Sequence, residues 1–313
     1  MVLAFTFPGQ GSQAVGMGKA LAESSATARQ VFEEVDEALK QNLTRLMFEG
    51  PADELMLTEN AQPALMAVSL ALVRTLDVEG GFKIADRVGY VAGHSLGEYS
   101  ALAAAGALTV SEAAQLLKRR GQAMQRAVPV GEGAMAALLG LNLSDAEDVA
   151  KEAAGDEVCT TANDNAPGQV VVSGHKAAIE RAVEIAKTKG ARRAMMLSVS
   201  APFHCPLMAP AANEMAEALK TARIEPPVRP LVANVTAKEV SQPEEIRRLL
   251  VAQVTGLVRW RESVEYMVDG GVDMLVELGS GKVLTGLAKR INGDVTGVSI
   301  QGPDDIEAFL KLV

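Results

Sequence analysis

The sequence predicts an α/β protein. A large domain with a parallel sheet core, residues 1–127 and 199–313, carries an inserted ferredoxin-like small domain, residues 128–198. Three observations lead there. Outside the insert, short apolar runs that end in glycine-rich turns are followed by helix-period stretches, the order expected of strands joined by crossover helices. Residues 128–198 read strand, helix, strand, strand, helix, strand, which is the split βαβ order. A chain of 313 residues, 48% hydrophobic but only 4% aromatic, is long enough for two joined cores built from Ala, Val, Leu and Met.

In chain order, Val2–Phe7 alternates as a short strand and breaks at Pro8-Gly9-Gln10-Gly11-Ser12-Gln13. A loop at the C-terminal edge of a strand is where open α/β sheets place ligand contacts. It is not a dinucleotide or Walker loop, because position 14 is Ala and no Lys follows Gly16. Helices are expected at about Ala26–Lys40 and Ala61–Leu76, with Pro63 in the first turn of the second, where its missing N–H costs nothing.

Val88–Leu108 is the stretch that matters most. Val88, Tyr90 and Val91 end a buried strand, and Leu96 to Ala105 is an Ala/Leu-rich helix, so Gly93-His94-Ser95-Leu96-Gly97 must turn sharply between them. That is a nucleophile elbow, and it makes the large domain α/β-hydrolase-like. Glycines two residues either side remove Cβ atoms that would clash, and Ser95 is lifted above a helix N-terminus. Gly-x-Ser-x-Gly also arises by chance; the flanking strand and helix favour the catalytic reading.

Thr109–Val128 is the next helix, with an apolar stripe Ala113, Leu116, Leu117, Met124, Ala127. Arg120 falls inside that stripe. An inward guanidinium needs an anion, either a structural carboxylate or a ligand. The insert follows: strand Gly133–Leu141, helix Ser144–Ala154 with a Ser144/Glu147 capping box, strands Val158–Ala162 and Gln169–Ser173 joined by the turn-rich Asn163–Gly168, helix His175–Lys189, and strand Arg192–Val199. Beyond it, Pro206 fits the first turn of a helix to about Lys220, which places His204 on a loop at the sheet edge of Ser95. The nearby helix N-terminus is expected to keep its ring neutral, as a general base requires. His94 adjoins Ser95, where neighbouring side chains diverge, and His175 begins an exposed helix of the insert; Cys205 has no elbow to present it and reads as packing. Strands Val228–Val235, Val272–Glu277 and Val295–Ile300 complete the sheet, with Leu249–Trp260, including Gln253, and the Gly279-Ser280-Gly281-Lys282 turn between them.

Bulk properties exclude several classes. A net charge of −9 argues against a nucleic-acid surface. No apolar run is expected to reach a membrane-spanning length, and Val2–Phe7 lacks the flank of a signal peptide, so a cytoplasmic, membrane-free protein is expected. Two cysteines, Cys159 and Cys205, fit a reducing compartment. The three histidines are far apart, with no CxxC or HExxH, so no metal site and no cofactor are expected.

Taken together, Pro8–Gln13, Gly93–Gly97, Arg120-Gly121, Asn163–Gly168 running into Gln169-Val170-Val171, Phe203-His204, Gln253 and the Gly279–Leu287 turn resemble, in order and over essentially the whole chain, the malonyl-CoA:acyl-carrier-protein transacylases. The resemblance is to the free-standing enzyme of dissociated, type II fatty-acid biosynthesis. One departure is Ser280, where Gly-Pro-Gly-Lys is expected. The resemblance implies an acyltransferase of lipid metabolism whose partners are malonyl-CoA and acyl carrier protein, working as a monomer. Ser95 would be the nucleophile and His204 the base. The backbone N–H groups of Gln10 and Leu96 would form an oxyanion hole, each worth about 3 kcal/mol. Arg120 would grip the malonyl carboxylate, Gln10, Asn163 and Phe203 would line the substrate site, and the Gln253 carbonyl would orient His204. Phe203 favours malonyl over branched extender units. The rival readings are a serine hydrolase, which the insert and the inward arginine disfavour, and a silent carrier-docking module.

Overall fold

The computed structural model describes residues 2–313. Among them, ten strands form two sheets: β1 (Leu3–Phe7), β2 (Val88–Gly93), β3 (Gly133–Leu139), β4 (Cys159–Ala166), β5 (Gln169–His175), β6 (Arg193–Met196), β7 (Leu231–Ala233), β8 (Lys238–Val240), β9 (Met274–Leu278) and β10 (Thr296–Ile300). The large sheet runs β10-β9-β1-β2-β7-β8. All its pairings are parallel except the edge hairpin of β7 with β8. Every residue of β1 is buried, as expected of a parallel strand covered on both faces.

Register places the site. Phe7 pairs with Gly93, so the Pro8–Gln13 loop and the Ser95 turn leave the sheet side by side. On the other flank of β2, Ala92 pairs with Val232, which brings Asn234 to the same edge.

The smaller sheet runs β4-β5-β3-β6 and is antiparallel throughout, the ferredoxin-like order. Its alternation divides two cores. Ala134, Ala136 and Leu138 pack with Val149, Val170 and Ile179 under the helices Leu143–Ala154 and Lys176–Thr188. Met135 and Ala137, on the opposite face, join the main core of the large sheet. One sheet therefore belongs to both cores, by the period-two rule.

Several expectations change. The second helix spans Thr58–Val78, so Pro63 is its sixth residue and lies inside it rather than in its first turn. A proline there forfeits a helical hydrogen bond, a cost of ~3 kcal/mol that burial along almost the whole helix offsets. The extra turn carries Thr58. This helix is also long and apolar enough to span a membrane by composition, with mean hydropathy 1.2, contrary to the expectation of no such run; 78% of that window is buried in the protein. The insert's first helix is capped by Asn142, whose side chain accepts from the Asp145 N–H at 2.9 Å, not by a Ser144/Glu147 box. Asn163–Ala166 is strand, not turn, and the turn proper is Pro167-Gly168. These polar residues can be strand because their partners lie in the large domain: the Asp164 N–H donates to the Val258 carbonyl at 2.9 Å, and its buried carboxylate pairs with Arg261 at 2.8 Å. The last insert strand and the first strand after it are shorter than expected, and β8 and the helix Pro303–Leu312 were not expected.

Candidate active site

Ser95 stands at the apex of the β2 turn with φ 54°, a left-handed conformation that non-glycine residues adopt at a cost. Its neighbours explain how the turn closes. A Cβ on Gly93 would lie 1.9 Å from the Gly97 carbonyl, and one on Gly97 would lie 2.3 Å from the Phe7 oxygen, so backbone occupies the space any side chain would need. The helix Gly97–Ala104 starts directly after.

Ser95 Oγ is 2.8 Å from His204 Nε2, and His204 Nδ1 is 2.9 Å from the Gln253 carbonyl. A carbonyl can only accept, so Nδ1 carries the proton and Nε2 is left to accept from the serine hydroxyl. His204 also has a left-handed φ, 57°. A three-residue 3₁₀ turn, Pro206–Met208, leads from it straight into the helix Ala209–Thr221. Burial, reinforced by the Arg120 cation, pushes the imidazole down to about 3.

Arg120 is 1% exposed, as its place in the stripe predicts, and its anion is not an adjacent carboxylate. Nη1 donates to Gln62 Oε1 at 2.8 Å; Nη2 donates to Gln253 Oε1 at 2.8 Å and to Ser95 Oγ at 3.0 Å. The guanidinium lies over the Tyr99 ring, 5.8 Å from its centroid, and its Nε is buried with no acceptor among the described residues. A cation held by neutral oxygens next to a nucleophile suits an incoming carboxylate.

A cavity of about 660 Å³ opens over this group, and Gln10, Leu96, Asn163 and Phe203 line it with Ser95, Arg120 and His204. Among the described residues no acceptor takes the N–H of Gln10 or Leu96. The Gln10 side chain is fixed by Nε2 donating to Thr58 Oγ1 at 3.2 Å. Gln253 is fully buried behind the site rather than in the cavity.

Sequence reasoning missed Thr58, Gln62, Glu98 and Asn234. Asn234 Oδ1 accepts from the Ser95 N–H at 2.8 Å while its Nδ2 donates to the Gly93 carbonyl at 2.7 Å, clamping both limbs of the turn. No sequence signal marks it. Glu98 has one: an acid three residues after the serine on an otherwise apolar helix. It is buried, and desolvation pushes its carboxyl up to about 8. Of the residues set aside, His94 is held through Nε2 by Asn165 Oδ1 at 2.9 Å. Cys205 is buried, with Sγ donating to the Pro202 carbonyl at 3.1 Å. His175 is half-buried and accepts from the Val158 N–H at 2.9 Å, so it is a structural cap between strands rather than a free surface residue. Ser280 donates to the Ser12 carbonyl at 2.7 Å, which ties the departing turn to the Gln10 loop.

The acyl transferase domain family matches residues 4–292. The chain is 43% identical over 310 residues to the malonyl CoA-acyl carrier protein transacylase of Bacillus subtilis, covering 99% of this chain and 96% of that one. It is 46% identical over 309 residues to the protein of the same name from Escherichia coli, covering 99% of each. Among solved structures, an acyl-carrier-protein-S-malonyltransferase from Bartonella henselae is 55% identical with TM-score 0.97, over 100% of this chain and 99% of that one. A malonyl-transacylase solved in complex with its type II PKS acyl-carrier protein is 41% identical with TM-score 0.97, over 100% of each chain.

Proposed function

The chain belongs to the malonyl-CoA:acyl-carrier-protein transacylases of the acyl transferase family, and from that membership we propose that it moves malonyl from malonyl-CoA to the carrier's phosphopantetheine thiol through an ester on Ser95. The observation that supports the route best is the convergence of Ser95, His204 and Arg120 within hydrogen-bond distance, from three separate stretches of chain. His204 Nε2 takes the hydroxyl proton as Oγ attacks the thioester carbonyl, and the Gln10 and Leu96 N–H groups receive the developing oxyanion. Collapse expels the coenzyme A thiolate, which leaves with the proton from His204. Arg120 holds the free carboxylate through Nη1 and the Nη2 donor that Ser95 vacates. The carrier thiol then reverses the sequence, with His204 again moving the proton.

All these groups come from one chain, which supports a monomeric working unit. The two joined cores support the division into a catalytic unit, 1–127 and 199–313, and a small domain, 128–198. Buried free Cys159 and Cys205 suit the cytoplasm, where this chemistry of fatty-acid synthesis would run.

Mass spectrometry tests the reading. Malonyl-CoA should leave a malonyl adduct on the enzyme that added carrier protein removes; free malonate released with no adduct would point to a hydrolase. The state of His204 adds a pH signature. A base whose value is depressed stays unprotonated in weak acid, so acylation is expected to hold flat from pH 7 to about 5, where an ordinary imidazole near 6.5 would cost more than about tenfold. A stopped-flow profile with an inflection near that ordinary value would contradict the burial argument.

Three basic runs of the sequence are open to an acidic carrier, Lys118/Arg119, Lys187/Lys189/Arg192/Arg193 and Lys282/Lys289/Arg290. Of these, Lys118 and Arg119 are engaged by Glu59 and Glu214, and Lys187 and Lys189 by Glu184 and Glu152. Arg192 and Arg193, and Lys282 and Lys289, are exposed with no ion-pair partner among the described residues. With the carrier docked at the Lys282–Lys289 face, Lys289→Glu is expected to raise the KM for the carrier about tenfold while leaving the coenzyme A half-reaction unchanged. Equal effects on both half-reactions would remove this face from docking.

A further inference from the structure

Glu98 takes no part in the cycle above, yet it is 1% exposed and sits one residue chain away from the substrate-binding cation. Its Oε1 accepts from the Asn234 N–H at 2.7 Å, and its Oε2 accepts from Gln253 Nε2. The same Gln253 amide presents its oxygen to Arg120 Nη2 at 2.8 Å. The amide is thus oriented end to end, its NH₂ toward the carboxyl and its oxygen toward the guanidinium. Both Glu98 oxygens meet donors and neither meets an acceptor, which is the pattern of an ionised carboxylate.

Around Glu98 the charges are few. Its own helix adds Tyr99, whose phenol burial pushes up to about 12. The helix Val110–Ala127 supplies Arg120, and the loop before Ala209 supplies the neutral His204. Strands β1 and β7 hold no ionisable residue, and β2 offers only Tyr90, which meets the Tyr266 ring edge-on. On the helix Thr58–Val78, Glu59, Arg74 and Asp77 pair with Lys118, Glu34 and Lys83. Among the described residues Glu98 is therefore the one carboxylate available to balance Arg120, whose direct acceptors Gln62, Gln253 and Ser95 are all neutral.

We propose that Glu98 is the resident counter-ion of Arg120 and is relieved of that role by protonation when the substrate's carboxylate docks, so that forming the malonyl-enzyme takes up a proton from solvent. The inference rests on Arg120 being the carboxylate-binding group. Two anions against one buried cation raise each other's proton affinity, and burial has already brought Glu98 up to about 8, so the counter-ion is ionised in the free enzyme, and the uptake is seen, above that value. The step balances: ionised enzyme, malonyl-CoA and one proton give the Ser95 ester, neutral Glu98 and coenzyme A thiol, the serine proton having left on the thiol. Discharge to the carrier returns the Glu98 proton. Glu98 acts through Gln253 and is a positioning residue.

The test is proton uptake on mixing the enzyme with malonyl-CoA in weak buffer at about pH 8.5, read by an indicator dye and normalised to adduct. Wild type should take up as much as about one proton per Ser95 more than Glu98→Gln, and its KM for malonyl-CoA should climb toward tenfold per pH unit above Glu98's value while the variant's stays flat. Equal uptake in both proteins overturns the proposal. Should Glu98→Gln not fold, infrared difference spectra of the wild-type acyl-enzyme made with ¹³C-malonyl-CoA decide it. A new unlabelled protonated-carboxyl band supports the proposal, and no such band sinks it. Malonyl selectivity lost in Arg120→Ala without uptake in wild type would reject the Glu98 role alone; selectivity retained in that variant would reject the Arg120 reading first.

Discussion

Ser95→Ala is expected to abolish the malonyl adduct and lower transfer by roughly 10⁴-fold or more, with little change in stability. The hydroxyl is the only atom the substitution removes. It is the group that both His204 and Arg120 reach, at 2.8 and 3.0 Å. Neither partner is left without other bonds: His204 keeps the Gln253 carbonyl through Nδ1, and Arg120 keeps Gln62 and Gln253. The turn itself is held by backbone and by Asn234, which binds the Ser95 N–H and the Gly93 carbonyl irrespective of the side chain. Intact protein mass after malonyl-CoA treatment, with a melting curve alongside, reads both outcomes. An adduct surviving in Ser95→Ala would place the nucleophile elsewhere and dismantle the reading.

Arg120→Ala is expected to cost malonyl transfer about 10²–10³-fold, the range for losing one partner of a buried charge pair, while acetyl transfer is retained or gains. An acetyl group has no carboxylate for the cation to hold. The variant leaves Gln62 Oε1 and Gln253 Oε1 without their donor, at about 1–3 kcal/mol each, offset by no longer burying a guanidinium. A second readout follows from electrostatics. Arg120 is one of the causes that depress His204, so its removal should move the acid limb of acylation upward, though burial, the larger cause, remains. Equal losses on both acyl groups would make Arg120 a prop for the fold.

Two of the misreadings share one cause, tertiary packing. Asn163–Ala166 looks like a turn because it is polar, but it is strand because Val258 and Arg261, about 95 residues on, satisfy it. Pro63 looks like a helix start, but burial against the core carries the helix one turn further back, and that turn supplies Thr58 to the Gln10 side chain. The Ser144 cap failed more simply, since Asn142 two residues earlier competes for the same role.

What the sequence determined by itself is whatever local chain geometry encodes: the βα alternation, the insert's strand order, the elbow between Gly93 and Gly97, and an arginine on the wrong face of its helix for solvent. Backbone sterics and side-chain periodicity act over a few residues and are written in consecutive letters. Only the tertiary structure decided how Gln62, Glu98, Asn234 and Gln253 join into one polar network, and why His204 stays neutral. Those are facts about which buried group meets which partner across the sheet, and burial and hydrogen-bond pairing exist only once distant segments have packed.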